Sequence, residues 1–318
     1  MEGLVVKSTG SWYQILATEG TRYECRLRGN FRLHGNKQTN PLAVGDRVTF
    51  HLEEDGTGTI SAVADRKNCI LRKSIKLSKQ THVIAANIDR MCVVATLSFP
   101  RTTTGFIDRL LVAAEAYRIP ACIVFNKTDL YDDDLRREQA RLRSIYESAG
   151  YEVYEVSAKT GDGIIGANFF SLPNKLYNGS DADVFARPIL LFVGHSGVGK
   201  SALMNAIDPN LQLRVGKISD YNEKGRHTTT YAELHPFGNG FLVDTPGIKE
   251  FGMVDYSVEE VSHFFPEMRR ALPDCYFANC THYHEPHCAV KEALKTGSIS
   301  EERYTNYLNI IESLKKNQ

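Results

Sequence analysis

Residues 1–70 break into short runs rich in Val, Ile, Leu, Tyr, Phe and Thr: GLVVKSTGSWYQILAT, TRYECRLRGNFRL and DRVTFHL. Gly20, the Gly29-Asn30 pair, Pro41, Gly45-Asp46 and Gly56 with Gly58 punctuate them, which is the pattern of strands joined by turns. Several short strands at this spacing predict a small β-barrel, and an OB-fold is the commonest match for the length. Residues 66–79 follow as a basic connector, with Arg66, Lys67, Arg72, Lys73, Lys76 and Lys79 and no acid. From about residue 83 the rhythm changes. Residues 91–97 form an apolar run, and GFIDRLLVAAEAYRI then sets Ile107, Leu110, Leu111, Ala114 and Tyr117 or Arg118 at helical spacing. ACIVF reads as a strand, 135–149 as a charged helix, and YEVYEVSA as a strand. Residues 189–193 and 240–243 are two more strands. Such βαβ alternation predicts a doubly wound, mostly parallel sheet. From Ser257 onward the pattern is helical except for one Cys/His segment. Three domains are therefore expected, at 1–72, 73–252 and 253–318.

Composition adds little until it is divided. The 318 residues carry 38 Lys+Arg against 38 Asp+Glu, with 42% apolar and 24% charged residues, an ordinary globular make-up. The start MEGLVVKSTG lacks a signal pattern, and the apolar runs fall far short of the roughly 18 residues a membrane span needs. No membrane association and a cytoplasmic location are expected. A net charge of zero argues against a uniformly basic nucleic-acid binder, yet the zero is a cancellation. Residues 1–90 hold 14 Lys+Arg and 9 Asp+Glu, a net +5, and the remainder holds 24 and 29, a net −5. Of seven cysteines, Cys25, Cys69, Cys92 and Cys122 are scattered among apolar neighbours, as buried thiols usually are. Cys275, Cys280 and Cys288 lie among His282, His284 and His287, a grouping that suits a metal better than a disulfide framework.

The chemistry concentrates in four short motifs. The strand RPILLFV runs into Gly194-His195-Ser196-Gly197-Val198-Gly199-Lys200-Ser201, and Ala202 continues the helix that follows. This is G-x-x-x-x-G-K-[ST] between a strand and a helix, where backbone N–H groups and a helix N-terminus cradle phosphates. Lys200 is expected at the β- and γ-phosphates and Ser201 on Mg²⁺. Asn126-Lys127-Thr128-Asp129 ends the strand ACIVF. A carboxylate at Asp129 accepts from the N1–H and amino group of guanine, whereas adenine presents an acceptor at N1 and loses the pair. Ser157-Ala158-Lys159 is the companion loop for the guanine oxygen. Asp244-Thr245-Pro246-Gly247 ends a later strand, with Asp244 expected to hold Mg²⁺ through water and the Gly247 N–H to meet the γ-phosphate. The intervening Gly225-Arg226-His227-Thr228-Thr229-Thr230 suits a switch loop. Spacing favours Thr229 as its Mg²⁺ ligand, with Thr228 the alternative.

The order of these motifs is unusual: NKTD and SAK precede the P-loop. With the barrel in front and the Cys/His tail behind, the chain resembles the circularly permuted, ribosome small-subunit-dependent GTPase family (the RsgA type) over essentially its whole length. That resemblance implies an OB-fold barrel at 1–72, a permuted GTPase domain at 73–252 and a helical zinc-binding domain at 253–318. It further implies GTP hydrolysis stimulated by the small ribosomal subunit, contact with its rRNA and a late role in subunit maturation. The alternative is a GTP-gated assembly factor whose hydrolysis is incidental.

Ile248 stands after DTPG where small GTPases place a water-orienting Gln, and an apolar side chain orients no water. His227 is the candidate substitute, as a water-positioning group or simply as a solvated switch histidine. The spacing Cys275-x4-Cys280-x-His282-x5-Cys288 supplies a closed tetrahedral set for one structural Zn²⁺ and matches the family's zinc segment, with His284 and His287 as competing donors. On the barrel, Arg22, Arg26, Arg28, Arg32 and Lys37 with Tyr13, Tyr23 and Phe31 form a candidate RNA surface. The irregular stretch at 170–187 reads as an insertion without an assigned role, and a monomer is expected. The direct passage from DTPG into the tail also suggests that the tail reports nucleotide state.

Overall fold

In the computed structural model the described residues are 1–27, 42–73, 81–165, 169–170, 183–213, 232–244 and 256–316. The barrel comprises β1 (Glu2–Ser8), β2 (Tyr13–Ala17), β3 (Arg22–Leu27), β4 (Arg47–Leu52) and β5 (Gly58–Val63). Strand β1 pairs with both β2 and β4, and β3 runs parallel to β5. This order closes the five strands, as the OB-fold requires. Its core is Val5, Tyr13, Ile15, Cys25, Leu42, Val48, Phe50 and Ile60. Tyr13, expected on the RNA surface, is 2% exposed. Alternation along β2 turns it inward and leaves its neighbour Trp12 facing out, 39% exposed.

Part of the basic connector is structured. β6 (Cys69–Lys73) and β7 (Thr81–Ala86) form an antiparallel ribbon that carries the chain from the barrel to the second sheet. In that sheet β8 (Arg90–Ala95), β9 (Ala121–Phe125), β10 (Glu152–Glu155), β11 (Ile189–Val193) and β13 (Gly240–Asp244) are parallel, ordered β10-β9-β8-β11-β13. The helices α1 (Thr104–Ala116), α2 (Asp133–Ala149) and α3 (Lys200–Ile207) supply the crossovers. Ile107, Leu110, Leu111 and Ala114 are buried, as their spacing predicts. Asp132 caps α2 through the Leu135 N–H, and Gly150 ends it at a φ of 110°, a left-handed position that glycine occupies without strain.

Like β5, β6 and β7, one strand of the second sheet escaped the sequence pattern. β12 (Glu233–Phe237) is antiparallel to β13 and also meets β1 at Lys7 opposite Glu233. A proline is uncommon within a central strand, yet β12, which contains Pro236, joins the parallel sheet to the barrel in one eleven-stranded surface.

Beyond residue 256, α4 (Pro266–Ala271), α5 (Ala289–Lys295) and α6 (Glu301–Lys315) pack around Val261, Phe265, Met268, Val290, Tyr307 and Ile310. This helical unit sits against α1 and α2. Arg303 of α6, 2% exposed on its side chain, bonds Asp108 of α1 at 2.5 Å and Glu267 of α4 at 2.7 Å. Asn306 bonds the other oxygen of Asp108 at 2.7 Å, and the Arg303 guanidinium lies 4.5 Å from the Phe265 ring centre.

Candidate functional site

The P-loop, the NKTD loop and the SAK loop leave the C-terminal ends of β11, β9 and β10, the edge where open α/β sheets bind ligands. Gly194 has a φ of 148°, and a Cβ there would lie 2.2 Å from the Val94 carbonyl oxygen. Gly199 caps α3 in the left-handed region with no side-chain bond, so its own cap leaves the first-turn N–H groups without a side-chain acceptor. Such a terminus attracts an anion. Lys200, at the first position of α3, donates to the carbonyls of Gly194 at 2.8 Å and His195 at 2.7 Å. Ser201 is 6% exposed.

Asn126 ties all three loops. Its Nδ2 donates to the Val198 carbonyl at 2.9 Å, and its Oδ1 accepts from the Ala158 N–H at 3.0 Å. Lys127 donates to the carbonyls of Gly197 at 2.7 Å and Phe99 at 2.6 Å. Asp129 accepts from the Ser157 hydroxyl at 2.7 Å, and its carboxylate is 13% exposed. Lys159 comes only to 3.8 Å of it, with its own side chain 79% exposed, a pair that contributes little. The arrangement presents a mostly shielded carboxylate beside open backbone N–H groups: an acceptor for two N–H donors on one side and a phosphate cradle on the other.

Three participants were not read from the sequence. The Tyr131 hydroxyl accepts from the Leu97 N–H at 2.9 Å and donates to the Asn126 carbonyl at 3.0 Å. Phe106 of α1 stacks on the His195 ring at 3.5 Å between centres. Phe99 stands on the rim, 85% exposed. None belongs to a motif, so only chain proximity could have suggested them. Burial, and then Lys200, lower the His195 pKa from its ordinary value. His227, Thr228, Thr229, Gly247 and Ile248 lie outside the described residues. So do Arg28, Phe31, Arg32, Lys37, Lys76, Lys79 and most of the 170–187 stretch. Asp244 is placed by its backbone at the end of β13.

The Cys/His segment converges as its spacing predicts. The donor atoms of Cys275, Cys280, His282 and Cys288 lie within 4.8 Å of one another. The His282 Nδ1 is 3.3 Å from the Cys288 sulfur and 3.7 Å from that of Cys275. His284 and His287 are exposed. The set can hold a metal ion: three sulfurs and an imidazole nitrogen face one point and leave no open position. Burial, with Cys288 and Cys275 alongside, raises the Cys280 thiol to about 12.

The loop is itself braced. Glu285 accepts from the Thr281 N–H and hydroxyl and from the N–H groups of Tyr283 and His284. Burial opposes its charge, but these donors prevail and hold it down to about 2. Tyr304 and Tyr307 of α6 donate to the carbonyls of His282 and Thr281 at 2.7 and 2.5 Å.

On the barrel, Arg26 lies 6.0 Å from the Trp12 ring centre, and Arg22 donates to Gln14 at 3.0 Å. Tyr23 is not free on the surface; it packs on Phe50 with 5.6 Å between ring centres.

Comparison with known proteins agrees with this architecture. Residues 2–60 match the RsgA N-terminal domain and residues 63–254 the RsgA GTPase domain. The chain is 49% identical over 313 residues to small ribosomal subunit biogenesis GTPase RsgA 2 of Bacteroides thetaiotaomicron, covering 98% of this chain and 96% of that protein. Against small ribosomal subunit biogenesis GTPase RsgA of Christiangramia forsetii the identity is 47%, covering 100% and 98%. The crystal structure of YjeQ from Thermotoga maritima superposes with a TM-score of 0.78 at 36% identity, covering 98% of both chains. YloQ, a circularly permuted GTPase, gives 0.74 at 28% identity, covering 100% of this chain and 96% of its own. With the permuted motif order, the barrel and the Cys/His tail all matched along its length, the chain belongs to the RsgA GTPase family.

Proposed function

We propose that the chain is a GTP hydrolase that works as a late maturation factor of the small ribosomal subunit, binding its rRNA and leaving according to nucleotide state. The observation that carries the reading is the Asn126 bridge, which joins the phosphate loop to both guanine loops in one cleft. The names of its relatives supply the ribosomal context.

In this reading Asp129 pairs with the guanine N1–H and amino group, while Ala158 and Lys159 face the guanine oxygen. The loop from Gly194 through Ser196, Gly197 and Val198 to Gly199 surrounds the β-phosphate, with Ser201 and Ala202 at the helix start. Lys200 exchanges its two carbonyl partners for the β- and γ-phosphates, a better match for an ammonium. Ser201 and Thr229, with Asp244 behind a water, would hold Mg²⁺, which would neutralise charge on the phosphates. Gly247 donates to the γ-phosphate. His227 orients the water that attacks phosphorus as the bond to the β-phosphate oxygen breaks. Small subunits accelerate turnover by ordering that switch.

The metal of the Cys/His cluster is one Zn²⁺, with a structural role. The barrel meets rRNA through Arg22, Arg26 and Trp12. Base stacking on an exposed ring and phosphate contact by Arg suit an RNA partner, and affinity falls steeply with salt. The protein acts as a cytoplasmic monomer.

The test is GTP turnover measured alone, with small subunits and with complete ribosomes. Stimulation by small subunits supports the reading, and equal slow turnover in all three overturns it in favour of incidental hydrolysis. His227→Ala lowers stimulated turnover while leaving GDP affinity unchanged; unaltered turnover removes His227 from the mechanism.

A further inference from the structure

The loop after β8 belongs to none of the nucleotide motifs, yet it is pinned to two of them. Its second residue, Leu97, donates to the Tyr131 hydroxyl, which in turn holds the Asn126 carbonyl. Two residues on, the Phe99 carbonyl accepts from the Lys127 ammonium, the same group that donates to Gly197 in the P-loop. Pro100 then packs on Gly197, where a Cβ would lie 3.3 Å from the Pro100 Cδ. The backbone of 97–100 is thus a third wall of the cleft, fixed by hydrogen bonds at one end and by van der Waals contact at the other.

On that fixed wall stands Phe99, 85% exposed. The Lys127 ammonium joins the Phe99 carbonyl to the Gly197 carbonyl of the P-loop. The ring is therefore placed within a residue's length of the seam between the base loops and the phosphate loop. A large apolar ring in water is unfavourable, and one on a braced loop cannot retreat into the core. Ser196 and Gly197 at the P-loop tip are exposed as well, so nothing described fills the space over the seam. A ligand with a flat or apolar face completes this arrangement, and a purine nucleoside has one.

We propose that Phe99 closes over the nucleoside part of the bound guanine nucleotide, opposite the Lys127 stem, and is a positioning residue for the base and ribose. The inference rests on the nucleotide reading of the cleft. Contact with the nucleoside, not with the phosphates, means that GDP and GTP are held by it equally. The ring acts as a latch on release rather than as a sensor of the γ-phosphate.

The experiment uses the full chain with a fluorescent GDP and a non-hydrolysable GTP analogue, in stopped-flow release measurements. F99A is expected to speed release of both by roughly tenfold, the order that loss of one base–aromatic contact supports, with the thermal midpoint of the nucleotide-free protein unchanged. F99W is expected to retain native release rates, and its emission is expected to shift on adding GDP and on adding guanosine, after subtraction of the Trp12 signal of the parent. Unchanged release in F99A together with an F99W emission indifferent to GDP overturns the proposal. F99A that releases nucleotide normally but loses stimulation by small subunits also overturns it, assigning the ring to macromolecular docking. Failure of the parent chain to bind GDP defeats the nucleotide reading itself, a result distinct from either.

Discussion

The nucleotide cleft and the Cys/His tail solve the same problem by opposite means. The cleft must leave polar groups open, so its loops are held by side chains bonding backbone: Asn126 to Val198 and Ala158, Lys127 to Phe99 and Gly197, Tyr131 to Leu97 and Asn126. The tail must close, so its loop converges donors on one point and is attached through a buried ionic cluster, Arg303 with Asp108 and Glu267. The difference is one of tolerance. Losing a strut in the cleft loosens a site, whereas losing the centre of the tail removes what its small core is built around, for Cys280 and Cys288 belong to that core.

The largest effect expected is metal removal. Structural zinc contributes about 10–16 kcal/mol in zinc-finger peptides. Chelation is expected to abolish hydrogen-exchange protection at 275–316 while the parallel sheet stays protected. Metal analysis of unchelated protein should give one zinc per chain. Loss of protection in the cleft as well would show that the two regions are not separable.

Next comes Arg303→Met. It strands Asp108 and Glu267 in the interior, and breaking a buried pair costs about 3–5 kcal/mol. Denaturant unfolding should show this loss, and equal stability would mean that water reaches the cluster.

Smaller is Asn126→Ala, which leaves the Val198 carbonyl and the Ala158 N–H without their partner, at about 1–3 kcal/mol for an unsatisfied buried group. The thermal midpoint should fall accordingly, and GDP affinity roughly 10- to 100-fold as the loops lose their common strut. A drop in stability with GDP affinity unchanged would make the bridge a fold element rather than a site element.

The smallest is a pH effect at His195. Its pKa lies below the ordinary 6.5, so the unfolded chain binds the proton more readily. Stability is then full above about pH 6.5 and declines as pH falls below it. His195→Asn should flatten that slope, read from thermal midpoints between pH 5 and 7.5. An unchanged slope would place the titration elsewhere.

How much was legible follows from the same contrast. Asn126, Asp129, Ser157 and the P-loop were readable because each motif is local: a strand end, a turn, a few residues whose chemistry needs that spacing. The Cys/His ligands were readable for the same reason, His282 among them, with His284 and His287 as the competing donors that the fold leaves exposed. The fold adds the bracing of that loop by Glu285 and by the tyrosines of α6. Strand β12 was hidden because Pro236 contradicts the local pattern and only pairing with β13 and β1 overrides it. Tyr13, expected on the surface, lies inward and its neighbour Trp12 outward, because adjacent extended residues face opposite sides and the strand's phase is set by the barrel.

By itself, the sequence determined the fold class, the order of the domains, the guanine and phosphate motifs and the donor set of the tail. All of these rest on interactions between neighbours in the chain. Tertiary structure alone decided the contacts between distant residues: Phe106 on His195, Phe99 on the rim, and Arg303 with Asp108, 195 positions apart. No local propensity encodes such pairs, since either member taken singly is an ordinary surface charge or core ring. Packing brings them together, and only then does burial or exposure give each its consequence.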